Sequence, residues 1–216
     1  MTDFPEFIDE NNTINGSKVL EKVLTSPIRA FQFINTYQYE KHLHVLLFLA
    51  GIVKSFDRAV EKNMGEETSL WGVLAMAVIM GGLFGWISFY IYSFLVSWTG
   101  KWLNGVANTD AVLRVFAYST LPSSLGLVVL LIQIAIFGKD IFTNDAILTD
   151  ATTLSSIIVY GTLFLQISLS VWSLVLLVIG IAEVQKFSIG YAILNVILPG
   201  LLLLAFVALL VIPFIF

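Results

Sequence analysis

So few charges interrupt the apolar stretches of this sequence that their placement decides what chemistry it can do. Lys54, Asp57 and Arg58 follow an 11-residue apolar block, Leu43 to Val53. With Glu61 and Lys62 they fall within one helical arc of about 140°, since each residue advances by about 100°. Lys54 and Asp57 are three apart and can pair on that face. A charge at mid-bilayer costs about 2.5–3.5 kcal/mol. The group therefore either builds a polar pocket or an interhelix contact, or it sits at the membrane surface and snorkels into headgroups. A second cluster combines Lys101, Trp102, Asn104, Gly105, Arg114, Tyr118 and Pro122. Cations beside aromatics near a bilayer suit lipid headgroups or a protein partner, and they equally suit plain anchoring at the interface. Gln133, Gln166 and Asn195 lie inside long apolar stretches. They either line a polar path or hydrogen-bond between helices, at about 0.6 kcal/mol each. Glu183 and Lys186 are spaced for a local surface pair.

Catalytic constellations are not visible. His42 and His44 are two apart, which puts them on different faces of a helix, and no further ligand stands at metal spacing. There is no cysteine, so disulfides and thiolate sites are excluded. No phosphate loop, nucleophile elbow or paired intramembrane aspartates occur. The expectation is a non-enzymatic chain without cofactor or metal. A net charge of -4 argues against nucleic acid as a partner. Lipid is the expected partner, along with other membrane proteins or a second copy of the chain.

The elements that must position these residues are helices in lipid. Of the 216 residues 58% are apolar and 12% charged, about half the charged share of a soluble domain. Mean hydropathy is +0.91. The fold class is an all-α, polytopic membrane helix bundle preceded by a polar arm over residues 1–40; residues 41–216 form the membrane domain. Residues 1–16 are acidic and rich in breakers, which predicts an extended or disordered start. Gly16 or Ser17 opens a short helix to Leu24, and Pro27, with Ser26 as cap, starts another. In the latter, Ile28, Phe31, Ile34 and Tyr37 make one apolar face. It lies either on the membrane surface or on the protein's own polar side. Met1 to Lys41 is too polar for a signal peptide.

Spans are expected at about 42–62, 70–98, 121–137, 155–182 and 189–216. The first is amphipathic in its second half, so the count falls to four if it is re-entrant. Leu70 to Trp98 carries no charge in 29 residues. Trp71 marks one end, and Trp98 and Trp102 mark the other, as in an aromatic belt. Within it Ala77, Gly81 and Gly85 form a stripe that lets another helix approach closely. Asn108 or Thr109 caps a short helix bearing Val112, Val115 and Phe116. Pro199-Gly200 marks a kink in the last span. Lys and Arg distribute 7 to 4 towards the N-terminal side with five spans, and 8 to 3 with four. Either count puts the N-terminus in the cytoplasm.

Three stretches carry a family resemblance: AGIVKSFDRA at 50–59, SWTGKWLNG at 97–105 followed by VLRVFAYSTLP at 112–122, and IGIAEVQKFSIGYAIL at 179–194. Their arrangement resembles the Yip1 domain family, and the second stretch is most similar to prokaryotic members. The resemblance covers roughly residues 25–210. It implies a five-span protein with a cytosolic N-terminus, placed in the cell membrane if prokaryotic, that organises membranes or binds partners. Eukaryotic members interact with Rab-type GTPases. This chain's arm is short and lacks their loop motif, so that property is not carried over. The remaining alternative is a small-solute transporter or channel with a polar path through the helices.

Overall fold

In a computed structural model, residues 16–143 and 153–211 are described. Among them the regular structure is entirely helical. A 3₁₀ turn at Gly16–Lys18 leads into α1 (Val19–Thr25) and α2 (Pro27–Thr36), and α3 spans Leu43–Glu61. The next helix starts as α4 (Leu70–Met76), widens to π-helical turns over Ala77–Gly82 and continues as α5 (Leu83–Trp102). Then come α6 (Thr109–Ser119), α7 (Leu121–Phe137), a 3₁₀ turn at Gly138–Phe142, α8 (Thr153–Gln185) and α9 (Ile189–Val211). The expected extended start falls almost wholly outside the described residues.

Local chemistry sets the helix ends. Pro27 is at the first turn of α2, where its missing N–H costs nothing. Ser26 makes no side-chain capping bond there, contrary to the expected cap; its backbone carbonyl accepts from Ala30 N at 3.1 Å instead. Ser69 Oγ accepts from Gly72 N at 3.3 Å and opens α4. Asn108 Oδ1 accepts from Ala111 N at 2.9 Å and opens α6.

Four segments are long and apolar enough to cross a membrane: Leu70–Trp102, Thr109–Phe142, Leu154–Gln185 and Ile189–Leu210. Their outer faces carry large apolar side chains such as Phe84, Leu131, Phe164 and Leu204, all more than half exposed. In water such surface would aggregate; in hydrocarbon it is the solvated face. The protein is a multi-pass membrane protein. The 19-residue α3 is not among the four, because charge interrupts its second half.

The chain divides into two compact units. One comprises residues up to Glu40, Phe89–Phe116 and Leu176 onward. In it the apolar face of α2 is buried: Phe31 and Phe33 are nearly inaccessible, and Phe31 and Val115 both press on Gly180, where a Cβ would come within 3.1 and 2.5 Å of them. The arm therefore packs on protein, which selects one of the two readings open for it. Tyr39 donates to Gly16 O at 2.8 Å and lies against the Phe33 ring; burial pushes its phenol pKa up.

The other unit comprises Lys41–Ser88 and Ala117–Val175. Its core joins Ile52, Phe56 and Ala59 of α3 with Val73, Ala77, Leu130 and Phe142. α3 meets the π-helical turns at backbone distance. A Cβ on Gly81 would lie 2.6 Å from the Gly51 carbonyl oxygen, and one on Gly51 would collide with the Gly81 carbonyl. Gly85 abuts the Cα of Gly51. Between apolar helices in lipid, association rests on such close packing rather than on the hydrophobic effect. Gly51→Ala should therefore destabilise the protein by about 1–3 kcal/mol, the usual range for overpacking. Gly161→Ala, whose Cβ would meet nothing within 4 Å, should leave it unchanged. Unfolding midpoints of the detergent-solubilised variants measure both.

Candidate functional site

The residues that sequence reasoning singled out collect in two places, one in each unit. In the unit containing the N-terminal arm, the loop after α5 and the turn between α8 and α9 share a buried amide, Gln185, which is 1% exposed. Its Oε1 accepts from Ala107 N at 3.0 Å, and its Nε2 donates to Asn195 Oδ1 at 3.3 Å. Asn195 Nδ2 donates in turn to Thr99 Oγ1 and to Val96 O, each at 3.0 Å. Ser97 Oγ donates to Ala107 O at 3.0 Å. One continuous network thus ties α5, the loop before α6, the end of α8 and the start of α9.

Room for this amide explains the glycines of the loop. A Cβ on Gly100 or on Gly105 would collide with the Gln185 amide group. Asn104 and Lys186 adopt left-handed backbone (φ 64° and 59°) and reverse the chain at the two helix ends that meet Gln185. Gln185 and Thr99 were missed in the sequence. The available signal was an amide just beyond the charge-free run 155–182, with two glycines five apart, Gly100 and Gly105, near the end of α5. Asn195, expected in the last span, belongs to this network and not with the other two amides.

The same unit holds Arg114, Lys101 and Trp102. Arg114 does not extend to lipid headgroups: it sits on α6, buried, with Nη1 2.9 Å from Glu40 Oε1. Its Nε is buried without a hydrogen-bond partner. Lys101 and Trp102 stay exposed, and Trp102 meets Trp98 edge-on at 4.7 Å. Glu183 pairs with Lys186 and also accepts from Gln32 of α2 at 3.3 Å. In α9, Pro199 deprives the Asn195 carbonyl of its helical donor. One residue further on, Val196 O accepts the Tyr92 hydroxyl at 2.6 Å.

In the unit containing α3, a cavity of about 400 Å³ lies among α3, α7 and the first part of α8. Gln166 Nε2 donates to Gln133 Oε1 at 3.1 Å, and Gln133 Nε2 donates to Thr162 Oγ1 at 2.7 Å. This chain of bonds ties α7 to α8 on the cavity wall. Asp57 and Glu61 also line the cavity, with apolar Phe56, Leu130, Phe137 and Leu163. Asp57, Lys54 and Arg58 are exposed rather than packed as one cluster. Lys54 Nζ donates to Ser88 Oγ at 3.3 Å, towards α5. Tyr118 and Pro122 are buried at the end of α6 and the start of α7. Ala77, Gly81 and Gly85 are the α3 contact described above. His42 is half-buried and His44 exposed; among the described residues no three His, Asp or Glu are grouped to hold a metal ion.

Gln185→Leu removes the partner of a buried backbone N–H and of an amide. It should cost about 1–3 kcal/mol, the penalty for stranding such groups. The thermal midpoint in detergent should fall accordingly, while Gln32→Leu, at an exposed bond, should shift it little.

Comparison with curated proteins and with solved structures finds no match. The sequence model of the Yip1 domain does match, over residues 22–211, from within α1 to the end of α9. That interval contains the Gln185 network, the Gly51–Gly81–Gly85 contact and the cavity, and the chain belongs to the Yip1 domain family.

Proposed function

We propose that the chain is a non-enzymatic interaction protein of the Yip1 type, organising the bilayer or holding protein and lipid partners through its helices. The observation that carries this reading is the use made of the intramembrane amides. Gln166 bonds to Gln133 and Gln133 in turn to Thr162, and Asn195 bonds to Gln185, Thr99 and a carbonyl. Such amides tie helices together. A solute path needs polar groups whose bonds can be exchanged with the passing solute. Lipid-facing surfaces rich in Trp, Phe and Leu add extensive contact area for bilayer or helical partners.

A transport reading draws on one feature, the cavity that Gln133 and Gln166 line. Its apolar wall and its internally bonded amides favour the interaction reading. Charge bias also favours a cytoplasmic N-terminus.

Two measurements test this. Reconstituted in sealed vesicles, the purified chain should pass neither ions nor small polar solutes. Labelled copies should show energy transfer that persists when lipid is added in excess. Flux that Gln166→Leu abolishes would replace the interaction reading with transport. Separately, Leu20→Cys should resist an impermeant maleimide on intact cells and react after lysis, because the chain has no other cysteine. Labelling before lysis reverses the orientation.

A further inference from the structure

The cavity among α3, α7 and α8 has a direction. Its lining runs along α7 from Ser123 to Phe137, 14 residues or about 21 Å at 1.5 Å per residue. A volume of about 400 Å³ over that length is the girth of a single extended hydrocarbon chain. Most of the wall is apolar, from Leu127 and Leu130 to Leu163. Acidic groups gather at one end. Phe56 stacks on Phe142 at 6.1 Å, and Gly65 N donates to Phe142 O at 2.6 Å. The second half of α3 therefore lies beside the turn that closes the apolar segment Thr109–Phe142, at the membrane boundary. Asp57 and Glu61, four apart and on one side of α3, both line the cavity there. Lys139 is exposed on the adjoining turn.

The geometry points to a binding site for one phospholipid bearing a primary ammonium headgroup, its ammonium at Asp57 and Glu61 and one acyl chain along α7. Charge complementarity selects the occupant. Of the charged residues on that arc of α3, Asp57 and Glu61 line the cavity and Lys54, Arg58 and Lys62 do not; the two carboxylates at the mouth attract an N–H-bearing cation and repel an anionic headgroup. Lys139 offers the phosphate a counter-charge. Gln133 lies one helical turn inside Phe137, at the depth where such a lipid carries its ester linkages, and its amide already fixes that stretch of wall through Gln166 and Thr162. Gly126 lines the far part of the slot, and a Cβ there would meet nothing within 4 Å. That open space is where the acyl chain runs.

The inference deepens the interaction reading and rests on it for its biological sense, but its test is separate. The purified full chain is equilibrated with phosphatidylethanolamine and phosphatidylglycerol of matched acyl chains, and retained lipid is measured by native mass spectrometry. The unaltered chain should retain phosphatidylethanolamine about fivefold to tenfold over phosphatidylglycerol, as expected for one or two half-exposed ion pairs. Asp57→Asn with Glu61→Gln should erase that preference. Gly126→Leu, which fills the slot and leaves both carboxylates in place, should reduce retention of either lipid. If the double variant fails to fold, as judged by its thermal midpoint, Gly126→Leu decides alone. Equal retention of the two lipids by the unaltered chain, an undiminished preference in the folded double variant, or full retention by Gly126→Leu overturns the site. Equal retention of the two lipids by the unaltered chain, without solute flux, removes this inference and leaves the interaction reading standing; flux removes that reading whatever the lipid result.

Discussion

A polar group carried into hydrocarbon must find its partner inside the protein, because the solvent offers none. The helices satisfy the backbone by their own geometry. What remains are the side-chain amides and the backbone groups where helices end, and the structure pairs these with one another. Gln185 is the clearest case. It reaches the N–H of Ala107, which sits in a loop and has no helical acceptor, and passes its own N–H to Asn195. Two helix ends and a loop that would each strand a buried polar atom satisfy one another. The glycines at 100 and 105 follow from this, since any side chain there would occupy the volume of the amide.

Close backbone packing supplies the cohesion that the hydrophobic effect cannot supply between helices in lipid. Gly51, Gly81 and Gly85 bring α3 against the neighbouring helix until carbonyl and Cα atoms touch. The contact falls on the π-helical turns at Ala77–Gly82. A widened turn costs helix hydrogen-bond geometry and persists where packing rewards it. Here it lies where Gly81 meets Gly51 and Ser55, and where Gly82 meets the ring of Phe48.

Much of the architecture was legible because periodicity and charge gaps are strong signals in membrane helices. The helix from Leu70, its tryptophans, the short helix opened by Asn108 and the span from residue 121 all come from local rules. The partners of those elements do not. The stripe at Ala77, Gly81 and Gly85 announces a close contact, but its match on α3, Gly51, is one glycine among 15 and carries no mark of its own. Gln133 and Gln166 read as intramembrane amides, yet nothing in a one-dimensional pattern says that they meet while Asn195 goes elsewhere. Arg114 misled for the reverse reason. Cations beside aromatics suggest contact with headgroups or a partner, whereas α6 turns that residue inward towards Glu40, 74 positions earlier.

The same long-range dependence decides the fate of the N-terminal arm. An amphipathic helix with Phe31 and Ile34 on one face removes similar apolar area from water whether it lies in a headgroup layer or on a protein, so area cannot choose. Shape can. The Phe31 ring fits because residue 180 has no side chain, and Val115 closes on the same gap from α6. A bilayer surface offers no such fixed recess, so it cannot match the dispersion contacts of a close-packed interior. Gln32 reaching Glu183, and Glu40 reaching Arg114, then add polar ties at the edges of that apolar contact. The arm is held by a recess that a glycine on α8 creates, 149 residues further along the chain than the ring that fills it.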